Sequence, residues 1–410
     1  MFKSVRIGNG ELDVGQIAEA LVYYGRVVLS LRSGGVPDLV KVLGYEPLID
    51  LMDMGALILS IDRHITSVRT EKVGNLEVHF LDHFSLTAGA DGTKIESIED
   101  EIRLQFRRKI GANPQADKQA LSIASRVVVP QLDTTLSAEV LADVKDRDLL
   151  SQFIRAYLGA VVPGYRVHDN LKAEIATVKD GLVLLGNIDF PAINQIYHQF
   201  VPPSHSSITR AYVLANILDA ARELKLAAGV ETDLWVGAGI SAILKMRISE
   251  IAAKLSRSKE DIAYFHDVEF EGRNFRDAVT GDNPRTGAEL VSLLQQQEAQ
   301  KFKLWLSTQE PNARLLKEYD RAVLAENGLT RKLPFRLGKV AVFTGLGVIA
   351  DALLGTMGLA TAAASGLTAT SEFGLGAVDE FVVPRLLNGW KPNQFIEGPA
   401  SSFLKDRNDF

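Results

Sequence analysis

The sequence predicts an α+β protein that is mainly α-helical and built in three parts. An N-terminal α/β unit covers residues 1–135, a mainly helical unit with one β-hairpin covers 136–330, and a C-terminal apolar Gly/Ala-rich helical hairpin with a lid covers 331–410. Three observations carry this prediction. Helix-spaced and strand-like runs alternate in the first third, and a 3.6-residue period dominates the middle. The stretch VAVFTGLGVIADALLGTMGLATAAASGL, Val340 to Leu367, then holds one charge, Asp351.

The totals agree with that division. A chain of 410 residues exceeds the ~250–300 at which a single core stops growing. Hydrophobic residues at 46% and charged residues at 23% are ordinary globular usage and can bury a sizeable core. The net charge of −6 gives no basic footprint, so nucleic acid is not expected as a partner. The absence of cysteine excludes disulfides, thiolate metal sites and a cysteine nucleophile, and fits a reducing compartment. The start MFKSVRIGNGELDVGQ has no apolar core of a secretory signal. The expectation is a cytoplasmic protein of bacterial type.

The elements follow in order. Val14, Ile17 and Leu21 share a helix face over Asp13–Tyr23, and Arg26–Leu31 is β-rich. Pro37-Asp38 opens a short helix to Leu43, another covers Pro47–Met52, and Gly55 ends it before strands at Ala56–Ile61 and Leu76–Phe80. Thr93 and Glu96 have capping-box spacing before an amphipathic helix to Ile110, with Ile95, Ile98, Ile102 and Phe106 on one face. Ser137–Pro163 reads as one long helical run. Leu171–Val178, the turn at Lys179-Asp180-Gly181 and Leu182–Leu185 read as a hairpin. Helices follow with stripes at Leu214, Ile217, Leu218, Ala221 and at Ile243, Met246, Ile248, Ile251, then at Gln296–Leu306 and Asn312–Glu326.

The apolar stretch has three readings. Gly345-x-Gly347-x-x-Ala350 after KVAVF matches a pyrophosphate turn. It lacks a clear second strand, and the 60 residues after Ala350 are too few for the parallel sheet such a turn serves, so no cofactor is expected there. A membrane span is long enough, but Asp351 near its middle costs roughly 2.5–3.5 kcal/mol on the insertion scale. A buried hairpin, with Gly355 and Gly358 letting helices approach closely, is the third. Leu386, Leu387, Trp390, Phe395 and Ile396 after it need an apolar surface, which predicts a folded lid.

Local chemistry motifs are weak. His79, Asp82 and His83 form the best metal candidate by i,i+4 spacing, yet they fall in a strand-like run and no third ligand is identifiable, so no metal is expected. His198 and His205 flank a proline-rich loop with Ser204, Ser206 and Ser207, but no Gly-x-Ser-x-Gly elbow exists for a hydrolase. Glu96, Glu99, Asp100 and Glu101 read as one solvated helix face. The polar segment 271–287 offers Arg273, Arg276, Asp282 and Arg285 as a partner or anion loop.

The expected function is therefore a non-enzymatic interaction or effector protein that forms a homo-oligomer through Gly345, Gly347, Asp351, Gly355 and Gly358 and meets a further protein partner. The alternatives are a membrane-perturbing effector that inserts 340–367 on a trigger, and a hydrolase or nucleotide-binding enzyme whose site is scattered in sequence. The self-association reading predicts that Gly355→Leu or Gly358→Leu dissociates an oligomer. Multi-angle light scattering on both variants checks it, and a monomeric wild type sinks it.

Overall fold

A computed structural model gives the fold, and it describes residues 3–8, 12–85, 95–130, 136–168, 170–202, 204–229, 232–254, 265–270, 275–281, 283–308, 338–343, 387, 390–391 and 393–404. The protein is mixed α and β and mainly helical, with two sheets. The first sheet has strand order β3-β2-β1-β8-β10-β9. It is built from β1 (Ser4–Ile7), β2 (Arg26–Leu31), β3 (Leu57–Ile61), β8 (Asp233–Val236), β9 (Phe265–Phe270) and β10 (Gly338–Phe343). Strands β1, β2, β3 and β8 run parallel, and β10 is antiparallel to both β8 and β9. The second sheet is antiparallel in the order β4-β5-β7-β6, from β4 (His64–Val73), β5 (Leu76–Ser85), β6 (Ala173–Val178) and β7 (Gly181–Gly186).

Local signals place most early elements. Helix α1 (Val14–Tyr23) starts where the Asp13 side chain accepts from the Gln16 amide at 3.1 Å. Helices α2 (Gly35–Leu43) and α3 (Tyr45–Asp53) lead into β3, and Gly55 takes a positive φ of 66° between α3 and β3. Lys179 and Asp180 have φ of 49° and 65°, the two left-handed residues of a tight hairpin turn between β6 and β7.

Three expectations need correction. Helix α4 (Ile98–Lys109) is capped by Ser97, whose hydroxyl accepts from the Asp100 amide, so the box at Thr93 and Glu96 does not start it. Helix α5 (Pro114–Ala124) follows, and then the run 137–163 is two helices, α6 (Leu136–Lys145) and α7 (Arg147–Val161). Asp146 splits them by capping α7 through bonds from the Asp148 and Leu149 amides. The acidic group on α4 is not all solvated: Glu101 is 1% exposed and pairs with Arg63 at 3.1 Å.

Two cores flank the first sheet. One gathers Val5, Ile7, Val27, Leu29, Leu57 and Leu59 with α1, α2 and α3. The other gathers Leu234 and Val236 with α6, α7, α8 (Phe190–Phe200), α9 (Arg210–Gly229) and α10 (Ala238–Lys254). The expected stripe on α9, at Leu214, Ile217, Leu218 and Ala221, lies in this second core. Helices α11 (Phe275–Thr280), α12 (Gly287–Gln295) and α13 (Gln297–Thr308) pack into the first core, although their sequence position falls in the middle unit. The chain thus leaves the first core, builds the second and returns.

The C-terminal lid packs as its apolar residues demand. Phe395 stacks on Phe302 with ring centroids 4.6 Å apart, and Phe403 lies 6.0 Å from Phe275. Trp390 donates from its indole to Glu298. The apolar stretch begins as a strand: Val340–Phe343 sits in β10, between β8 and β9. Gly345, Gly347, Asp351, Gly355 and Gly358, and the expected helix at Asn312–Glu326, lie outside the described residues. Among the described residues no helix is long and apolar enough to cross a membrane.

Phe395 is 2% exposed. Truncation to Ala removes a stacked ring from the first core and is expected to cost about 3–5 kcal/mol. Urea unfolding of Phe395→Ala measures this, and an unchanged midpoint would show that the lid contributes nothing to stability.

Candidate functional site

The site is dictated by strand order. From β1 the chain passes through α1 to β2 on one side, whereas β8 lies on the other side of β1 and leads through α10 toward β9. The connections therefore diverge between β1 and β8. A crevice at the carboxyl ends of the strands is the expected result of such a switch in direction, and it is where open α/β sheets bind ligands. A cavity of about 110 Å³ occupies this place, lined among others by Gly8, Gln16, Asp219, Arg222, Glu223 and Gly237.

Beneath it lies a buried charge network. Val5 and Ile7 of β1 face the first core, so the alternation of a strand turns Arg6 to the opposite face. There Arg6, 1% exposed, donates from Nε to Glu223 Oε2 at 3.1 Å and from Nη2 to Ser30 Oγ at 2.7 Å. Glu223 comes from α9, which also carries Asp219 one turn earlier and Arg222 as its immediate neighbour. Arg222 donates from Nη2 to Glu223 Oε1 at 2.9 Å and from Nη1 to Thr66 Oγ1 at 3.0 Å. Its Nη1 also lies 3.6 Å from Asp62 and 3.7 Å from Asp219. Two guanidinium groups thus face three carboxylates.

The environments push the two carboxylates of α9 in opposite directions. Burial works against ionising Glu223, but the charges of Arg6 and Arg222 outweigh it and hold the carboxyl below its ordinary range. Burial raises Asp219, the Glu223 charge adds to the rise, and Arg222 with the Thr66 hydroxyl only partly opposes it. The Asp219 side chain is 39% exposed. It lines the crevice, whereas both oxygens of Glu223 are engaged by guanidinium groups.

The wall opposite is backbone. Gly237 precedes α10, and its carbonyl accepts the first helical bond from the Ser241 amide at 2.9 Å. It has no side chain with which to cap the next amides, and the first amides of a helix have no carbonyl partner within it. Three glycines here differ in what a side chain would meet. A Cβ on Gly239 would lie 2.7 Å from the Tyr157 ring, so α7 requires that glycine. A Cβ on Gly8 would come within 3.3 Å of Glu223 and Val236. A Cβ on Gly237 would meet no atom within 4 Å. Among the described residues no side chain or backbone atom crowds position 237, which borders the crevice at the start of α10.

Gln16 completes the rim. It lies in the first turn of α1, and Asp13, which caps that turn, pairs with Arg276 at 2.7 Å. The polar segment 271–287 therefore reaches the site through Arg276. Arg285 does not: its guanidinium bonds the Phe403 carbonyl at 2.9 Å, the Ser402 carbonyl at 3.2 Å and Glu289 at 3.0 Å, tying down the C-terminal turns. Arg273 and Asp282 lie outside the described residues.

The other motifs remain apart from the crevice. His79 and His83 lie on β5, where a four-residue step spans about 13 Å rather than one helical turn. His79 is fully buried and bonds Thr70 Oγ1 at 2.9 Å, and burial lowers its pKa. Asp82 pairs with Arg69 at 3.1 Å. No group of three or more metal-ligating side chains occurs among the described residues. His198, in the last turn of α8, meets Ser207 Oγ through Nε2 at 3.1 Å.

Sequence reasoning missed Asp219, Arg222, Glu223 and Gly237. One signal was present: Asp233-Leu-Trp-Val236 followed by Gly237-x-Gly239-x-x-Ala242 is a strand, a glycine turn and a helix, the context that such a pattern needs. The same pattern at Gly345 follows an antiparallel strand. That strand ends with Phe343 opposite Leu234, away from the carboxyl end of β8. The chain matches no protein-family model, no curated protein and no solved structure.

Removing the shared carboxylate would take from buried Arg6 the carboxylate it pairs with and from Arg222 one of its three. Glu223→Ala is expected to destabilise the fold by about 3–5 kcal/mol. Denaturant titration checks this, and a loss under 1 kcal/mol would mean that Arg6 and Arg222 do not depend on Glu223.

Proposed function

We propose that this chain binds a small phosphate-bearing molecule in the crevice between the carboxyl ends of β1 and β8. The observation that carries the reading is Gly237: a bare position at the N-terminus of a 17-residue helix, opening into a cavity at the switch point. Helix N-termini attract anions through their free amides and dipole. A phosphate is the anion that takes several such amides at once. The buried network supports the reading in a second way. It fixes α9 rigidly over the sheet, so the crevice is preformed and binding orders little of the protein.

This is the reading of a nucleotide-type site assembled from scattered residues, with Asp219 available for proton transfer. Self-association and membrane insertion through 340–367 stand as separate proposals. They start from a changed boundary, since releasing that whole stretch would strip β10 from the sheet.

Gly237→Val tests the proposal, because position 237 lines the cavity and a Cβ there meets no described atom within 4 Å. Phosphate or a phosphate monoester at a hundredfold excess over its Kd should stabilise the wild type by about 2.7 kcal/mol and leave Gly237→Val unaffected. Thermal denaturation with and without the ligand reads both. Equal stabilisation of the two proteins would place any phosphate site elsewhere.

A further inference from the structure

The second sheet is two hairpins joined at a seam. Strand β4 pairs with β5 from His64 to Val73, and β6 pairs with β7 from Ala173 to Val178. Among the described residues, the register pair that joins the hairpins is His79 of β5 with Leu182 of β7. A histidine therefore stands at the joint. It is fully buried. Strand alternation puts it on the same face as Val68 and Leu81, which pack against the second core, and Leu182 belongs to that core. Its Nδ1 meets the hydroxyl of Thr70, the residue opposite on β4, at 2.9 Å. Its Nε2 is buried and has no hydrogen-bond partner among the described residues. A neutral imidazole can leave that nitrogen as a bare acceptor. An imidazolium carries a proton on both nitrogens. Protonation would thus put a charge, and a donor without an acceptor, into an apolar core.

The charged groups around His79 do not offset this cost. Burial is the largest influence and holds the imidazole below its ordinary range. Glu77, two residues away on β5, opposes that, but it is exposed and its charge is screened by water. Arg210 of α9 adds to the depression, and the Leu184 carbonyl of β7 holds its guanidinium at 3.2 Å. On β4, Lys72 lies opposite Glu77, and β7 carries no charged residue from Gly181 to Gly186. On α6, Glu139 is engaged by Lys225 at 2.7 Å and Asp143 by Arg247.

We infer that the seam between β5 and β7 is an acid-sensitive catch: a proton on His79 opens it and frees the β4–β5 hairpin from the second core. The consequence reaches the crevice through β4. The strand that carries Thr70 also carries Thr66, which donates to Asp219 at 3.2 Å and accepts from Arg222 at 3.0 Å. Opening the seam loosens the strand that holds that wall, whatever the crevice binds. The direction is fixed by where the proton is held. The opened chain takes it up near the ordinary imidazole value of about 6.5, and the closed seam only at lower pH. The seam is therefore intact above that range and is lost as pH falls through it.

Hydrogen exchange of the full chain at pH 7.5 and 5.0, corrected for intrinsic rates, tests the catch. Amides of β5 and β7 should lose about fivefold more protection on acidification than those of β2 and β3. Asp219 is raised above its ordinary range, so it can titrate in the same interval. His79→Asn and His79→Leu cannot titrate at 79 and keep Asp219, and either should abolish the excess loss. Asp219→Asn should retain it. Equal protection changes in the two sheets of the wild type overturn the inference, as does an excess loss that survives at both His79 variants. If neither variant folds, a titration of the wild type by nuclear magnetic resonance decides. The His79 ring and the Leu182 amide should shift with one midpoint, and a Leu182 amide that stays still while His79 titrates overturns the catch.

Discussion

The carboxylate of Glu223 is the constraint on which the rest of the molecule depends. It is fully buried, and each of its oxygens accepts from a different arginine, one on the central strand and one on its own helix. Two buried cations cannot exist in a protein interior without such a partner. Arg6 therefore cannot lie on its strand unless α9 crosses that face, and α9 cannot bury Arg222 and Glu223 unless it crosses there. A purely apolar contact would tolerate sliding by a turn. The bonds among Arg6, Glu223, Arg222, Thr66 and Ser30 do not, and they fix α9, β1, β2 and β4 in one register.

That register makes the crevice. Asp219 is four residues before Glu223 on α9, so fixing one places the other at the carboxyl edge of the sheet. Parallel β1 and β8 end there in Gly8 and Gly237. Burial in the crevice raises the Asp219 carboxyl above its ordinary range, and the Glu223 charge adds to the rise while Arg222 opposes it. Structure and electrostatics of the site have one origin, since the four-residue spacing on α9 places the Asp219 carboxyl one turn from the Glu223 anchor.

The return of the chain to its first core has a comparable logic. The second core is built from residues 136–248, and helices α11, α12 and α13 then close over α1 and α3. Arg276 reaches the cap of α1 and Arg285 holds the C-terminal turns, so two residues of one polar segment do different work. Phe395 and Phe403 finish the apolar surface that α11 and α13 leave uncovered.

Local chemistry was legible in the sequence by itself. Asp13, Gly55 and the Lys179-Asp180 turn act on their own neighbours, so a helix start, a helix stop and a hairpin could be read from residue types alone. The mainly helical α+β class followed from period and composition. Only the tertiary structure decided the strand order, the return of α11–α13 to the first core and the site. Arg6 and Glu223 are 217 residues apart, and no local pattern marks either as buried. An Asp219-Arg222-Glu223 group on a helix looks like a solvated face until a strand places an arginine beneath it. The glycine turn at 237 was legible as a pattern, but its meaning depended on lying at the carboxyl end of a strand beside β1. Pairing between distant strands sets that position, and such pairing is a property of the whole chain rather than of any segment.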